Sequence, residues 1–125
     1  MVVGVDGSPG SGGALAWAVG LAGPFEAEVV VVHGRGLLEE AHHAPEVPVW
    51  LDSLLAAVPA EVPLSLRVID GPPADALLRG AAACAADLIV VGRRGAGSPF
   101  ELTLGSTSRE VASRATVPVL VVPGS

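Results

Sequence analysis

The sequence predicts a single α/β domain over residues 1–125, a five-stranded parallel sheet of order 3-2-1-4-5 with helices on both faces. Three observations carry that expectation. Short aliphatic, β-branched runs alternate along the chain with segments whose apolar residues recur at helical spacing. No pair of runs is joined by the tight Gly or Asn turn of a hairpin. The runs also differ in kind: Val29 to Val32 is continuously apolar, as in a strand covered on both faces, whereas two others carry the marks of sheet edges.

The first strand is expected over Met1 to Val5, ending at Asp6. Ser8 can cap the first helix and Pro9 can take its first position, with Leu15, Ala18, Val19 and Ala22 as the apolar stripe and an end at Gly23-Pro24. Val29 to Val32 forms the second strand, ending at His33. From Gly34 to Pro48 no period appears, and the segment reads as a surface loop. A short helix follows, with Trp50, Leu51, Leu54, Leu55 and Val58 on one face and a stop near Pro59.

Leu64 to Ile69 sets Leu64, Leu66 and Val68 against Ser65 and Arg67, which predicts an edge strand with one polar face. Gly71-Pro72-Pro73 starts the third helix, with Leu77, Leu78, Ala81 and Ala85 at helical spacing. The fourth strand is Leu88 to Val91. The fourth helix runs from Ser106 to Ala115, and Val117 to Val122 closes the sheet, with Pro118 placing it at an edge. With strands three and five as the two edges, the order is 3-2-1-4-5. Strands one and four then lie side by side while their helices leave on opposite faces, the switch point where open α/β sheets bind ligands. Asp6 and Gly92 end those strands and are expected to share one crevice.

Between the fourth strand and the fourth helix lies GRRGAGSPFELTLGS, Gly92 to Ser106. Its glycines, Gly92, Gly95 and Gly105, fit ordinary loop packing on spacing alone. At a switch point, and followed by the hydroxyls of Ser106, Thr107 and Ser108 at a helix N-terminus, they fit a phosphate cradle better. Sharper motifs fail. A Walker loop needs a lysine and the chain has none; a dinucleotide fingerprint begun at Gly10 and Gly12 would need Gly or Ala where Leu15 stands.

Composition narrows the function classes. Net charge is -6, with no lysine or tyrosine, so both the basic footprint and the stacking platform of a nucleic-acid binder are missing. No apolar run approaches the roughly 20 residues needed to span a bilayer, and nothing at the N-terminus reads as an export signal. The expectation is a cytoplasmic protein that binds neither nucleic acid nor membrane. Cys84, the single cysteine, shares an apolar face with Leu77 and Ala81 and reads as a small buried hydrophobe.

Several stretches together resemble the universal stress protein family along almost the whole chain. They are VGVDGS at Val3 to Ser8, VVVVH at Val29 to His33, ADLIVVGRRG at Ala86 to Gly95, and LGSTSREVASRATVPVLVVP at Leu104 to Pro123. The family's G-x2-G-x9-G-[ST] signature falls on Gly92, Gly95, Gly105 and Ser106. The resemblance implies a Rossmann-like domain of the adenine nucleotide hydrolase-like kind, binding ATP with or without Mg2+ and pairing as a homodimer through the last strand, Val117 to Val122. It places Asp6 beside the adenosine, the backbone of Val32 and His33 along the adenine, and Gly92, Gly95, Gly105, Ser106 and Ser108 on ribose and phosphates. Arg93 and Arg94, between two signature glycines, read as solvated, with help in attracting phosphate to an acidic protein as the alternative.

The chain departs from the family in a shorter, proline-richer region between strands two and three, which implies a reduced second helix and adenine wall. Glu101 adds a negative charge within the nine-residue spacer and is expected to point outward. His33, His42 and His43 occur in no recognisable catalytic motif. Without a lysine or an evident arginine clamp on a transferring group, slow or absent hydrolysis is expected, in a nucleotide-responsive regulatory dimer. A weak ATPase or phosphotransferase, and a scaffold that binds no nucleotide, are the alternatives.

Overall fold

The computed structural model describes residues 1–6, 9–34, 47–93 and 105–123. In chain order the elements are β1 (Val2–Gly4), α1 (Pro9–Phe25), β2 (Val29–Gly34), α2 (Val49–Ala56), β3 (Leu64–Ile69), α3 (Pro73–Ala83), β4 (Ile89–Gly92), α4 (Ser106–Arg114) and β5 (Val119–Val122). The five strands form one sheet of order β3-β2-β1-β4-β5, every pair parallel. β1 is central: Val3 lies opposite Val31 of β2 on one side and Val90 of β4 on the other. The expected Rossmann-like fold and strand order are both present.

Strand alternation divides the core into two layers. Val3, Val5, Val29, Val31, Val90 and Val122 face Ala14, Leu15, Ala18 and Ala22 of α1 and Leu51 of α2. On the opposite face Val2, Val30, Val32, Ile89 and Val91 meet Ala74, Ala76, Leu77 and Ala81 of α3 and Val111 of α4. All four valines of β2 from Val29 to Val32 are buried, which is why their run is unbroken, while Ser65 and Arg67 on the edge strand β3 are exposed. At the other edge, the Pro118 carbonyl accepts from the Ile89 N–H at 3.0 Å, so proline serves the sheet as an acceptor just outside β5.

Two helix ends differ from the sequence expectation, and for one reason. α1 continues through Pro24 to Phe25. It closes with Glu26 in the left-handed region (φ 52°), an Ala27 N–H to Ala22 carbonyl bond of 2.8 Å and a Glu26 N–H to Gly23 carbonyl bond of 3.1 Å. α3 stops at Ala83 and repeats this closure with Ala85 at φ 52°, bonding Ala86 N–H to the Ala81 carbonyl at 2.9 Å. Both are Schellman closures in which a residue with a Cβ stands where glycine is usual. Ala85 is therefore exposed beyond the helix rather than part of its apolar stripe.

α2 is short, eight residues, and holds on chiefly through the fully buried Leu51. α3 and α4 are joined at the surface by Arg114, whose Nη1 lies 2.7 Å from both Asp75 and Glu110. The hydrogen bond to Asp75, with that to Glu110, raises the guanidinium above its usual value. No helix among the described residues is long and apolar enough to cross a membrane.

Candidate functional site

At their C-terminal ends β1 and β4 part, and a cleft opens between them on the face covered by α3 and α4. Gly4, Val5 and Asp6 supply one side, Val91 and Gly92 the other, and Val32 and Gly34 extend the floor along β2. α3 adds Pro73 and Leu77, α1 adds Ser11, and the first turn of α4 adds Thr107 and Ser108. Aliphatic side chains thus wall one part of the cleft, and hydroxyls with helix-terminal amides border another.

The glycine at the end of β4 has a specific steric cause. A Cβ at Gly92 would sit 2.7 Å from the carbonyl oxygen and 2.8 Å from the carbonyl carbon of Gly10. Two backbones touch there, the end of β4 and the first turn of α1, and only glycine lets them. The close neighbour that explains Gly92 is therefore the chain itself, and that contact fixes where the cleft begins.

α4 is aimed by a set of hydrogen bonds centred on Arg93. Its N–H donates to Val122 at 2.8 Å, anchoring it to β5, and its carbonyl accepts from the Gly105 N–H at 2.7 Å. The same carbonyl lies 2.8 Å from Ser108 Oγ, which is also 3.1 Å from the Gly105 carbonyl. Ser108 is 2% exposed. A hydroxyl has one proton, and both of these neighbours are acceptors, so that proton is held by the chain; Ser108 ties the N-terminus of α4 to the end of β4.

The first intrahelical bond of α4 runs from Arg109 N–H to the Gly105 carbonyl, so the amides of Ser106, Thr107 and Ser108 have no acceptor within the helix. Such amides, at the positive end of the helix dipole, favour an anion.

The structure brings Asp6, Val32, Gly92 and Ser108 to one cleft and places Gly105 and Ser106 at the N-terminus of α4 beside it. Asp6 is exposed, whereas Val32 is buried and its carbonyl already accepts from the Val5 N–H at 3.1 Å. Gly105 has φ -66° and ψ 163°, a conformation open to any residue. Gly95 lies outside the described residues.

His33 turns the other way. Its Nδ1 donates to the Val5 carbonyl at 3.1 Å, and its ring meets Trp50 of α2 edge-on at 5.2 Å. The imidazole therefore belongs to the α1/α2 face, and it is the neighbours of His33, Val32 and Gly34, that line the cleft. Arg93 is half-buried rather than solvated, and its Nε is buried with no hydrogen-bond partner among the described residues.

Thr107, one of the helix-opening hydroxyls expected at the cradle, lines the cleft, and Ser11, Pro73 and Leu77 complete it without having been expected there. Ser11 sits in a glycine-rich helix start, a usable signal; Pro73 and Leu77 look like core. No group of three or more His, Cys, Asp or Glu among the described residues is arranged to hold a metal.

Comparison with known proteins bears on the family and the fold. The model of the universal stress protein family matches residues 1–123. Universal stress protein YxiE of Bacillus subtilis is 32% identical over 98% of the chain and 97% of its own length. A Thermus aquaticus protein, "Universal stress protein in QAH/OAS sulfhydrylase 3'region", is 47% identical over 54% of the chain, a match that spans 47% of that relative's length.

Among solved structures, a universal stress protein in complex with cAMP superposes with a TM-score of 0.77 at 28% identity, covering 99% of this chain and 96% of that one. The universal stress protein from Archaeoglobus fulgidus in complex with dAMP gives 0.70 at 25% identity, over 96% and 94% of the two chains.

Proposed function

The chain belongs to the universal stress protein family, and from that premise we propose that it binds an adenine nucleotide, ATP foremost, in the cleft between β1 and β4. The observation that carries this reading is the pairing, in one cleft, of an aliphatic wall with the N-terminus of α4. A purine needs the first and a phosphate the second. Relatives of the same fold in complex with cAMP and dAMP support an adenine nucleotide as occupant.

In this reading the backbone of Val32 and His33 borders the base, Leu77 and Pro73 wall it, and Asp6 accepts from the ribose. The amides of Ser106 and Thr107, with the Thr107 hydroxyl and the signature glycines Gly92, Gly95 and Gly105, take the phosphates. Ser108 holds those donors in place. Lysine is absent from the chain, so nothing of that type neutralises a leaving phosphate, and hydrolysis is slow or absent. Titration of ATP by calorimetry, with and without magnesium, is expected to show one site per chain. Heat no different from buffer at millimolar nucleotide would end the proposal.

The functional unit is a homodimer paired through β5. Its outer edge carries backbone donors and acceptors beyond those bonded to β4, and such an edge invites a second strand. Light scattering at tens of micromolar should return a dimer mass, and a monomer mass would remove this part of the reading.

A further inference from the structure

The outer face of α1 has the composition of an interface. Its 17 residues, PGSGGALAWAVGLAGPF, include no charge. Ala14, Leu15, Ala18 and Ala22 are covered by the sheet, yet on the other side Trp17 is 55% and Phe25 72% exposed. Surface helices ordinarily set charged residues against solvent, and a helix apolar all round is one that is covered. Among the described residues a Cβ at Gly20 would meet nothing within 4 Å, so no contact there calls for the glycine, which weakens a helix relative to alanine. Trp17 and Gly20 are neighbours on one face, and with Ala16 and Leu21 they line a shallow depression.

We propose that this face docks a second copy of the chain, α1 against α1 about a twofold axis, at a contact distinct from the β5 edge. In such a pairing Trp17 of each copy enters the notch beside Gly20 of the other, the reciprocity a twofold interface requires. Charge selects the occupant. A chain of net charge -6 meets its own copy with least repulsion through a face that has no carboxylate. A bilayer is a poorer fit: an interfacial helix carries Lys or Arg along its polar side, whereas α1 has neither and is followed by Glu26 and Glu28. Area sets the strength. At 1.5 Å per residue the face is about 25 Å long and offers a few hundred Å2, below the roughly 800 Å2 per partner of a standard interface. The contact is weak and adds to whatever pairing exists elsewhere.

Sedimentation velocity from tens of micromolar to about a millimolar tests this on the full chain, comparing wild type with Gly20→Leu and Trp17→Glu. Gly20→Leu fills the notch where the fold leaves space, so a folded protein is expected, and circular dichroism and melting verify it. Both variants should raise the dissociation constant of one association step at least tenfold, while any pairing through β5 persists. Superimposable mass distributions for all three proteins would overturn the proposal. So would binding of neutral phosphatidylcholine vesicles that Trp17→Glu abolishes without altering protein mass.

Discussion

Gly92→Ala is expected to destabilise the protein by about 1–3 kcal/mol, the usual cost of forcing a methyl into a packed interior, and to weaken adenine nucleotide binding at least tenfold. The added Cβ falls 2.7 Å from the Gly10 carbonyl oxygen, and the obstacle is backbone rather than a movable side chain. Relief comes only by shifting the first turn of α1 away from β4 or by displacing the end of β4, and either movement deforms the cleft on which Gly92 and Ser11 border.

Gly20→Ala is the matched control. There the methyl meets nothing within 4 Å, so the same change should raise stability by up to about 1 kcal/mol through helix propensity and leave nucleotide affinity unchanged. Chemical denaturation of both variants, followed by calorimetric titration, reads the pair. Equal stability effects in the two would show that the Gly10 contact does not govern this end of the sheet.

What was legible in the sequence follows from how each residue is used. The strands and their order could be read because parallel strands covered on both faces must be apolar without interruption, and because Arg67 and Pro118 disclosed the edges. The ends of α1 and α3 could not, since their left-handed closing positions hold Glu26 and Ala85 in place of glycine. The cleft's polar half was visible, as a strand end with Asp6 and hydroxyls opening a helix. Its apolar half was not: Leu77 lines the cleft and fills the core with the same side chain, 2% exposed. The side chain of His33 points away from the cleft, as the two-residue period of a strand, which sets it opposite Val32, already requires.

Ser108→Ala separates two ways in which a hydroxyl just past the signature can serve a phosphate site. If Ser108 contacted only the ligand, its loss would leave the nucleotide-free protein as stable as before and would lower affinity alone. The geometry predicts otherwise. Its Oγ lies 2.8 Å from the Arg93 carbonyl and 3.1 Å from that of Gly105, so removal takes away a bond inside the empty protein and should cost about 1 kcal/mol of its stability. The Arg93 carbonyl keeps the Gly105 N–H at 2.7 Å, which limits the loss. Affinity should fall by a larger factor than that change in stability implies, about tenfold or more, since phosphate binding through helix-terminal amides depends on their aim. Thermal melting without nucleotide is the deciding measurement: an unchanged melting temperature together with reduced affinity would assign Ser108 to the ligand, and a lowered one assigns it to the joint between β4 and α4.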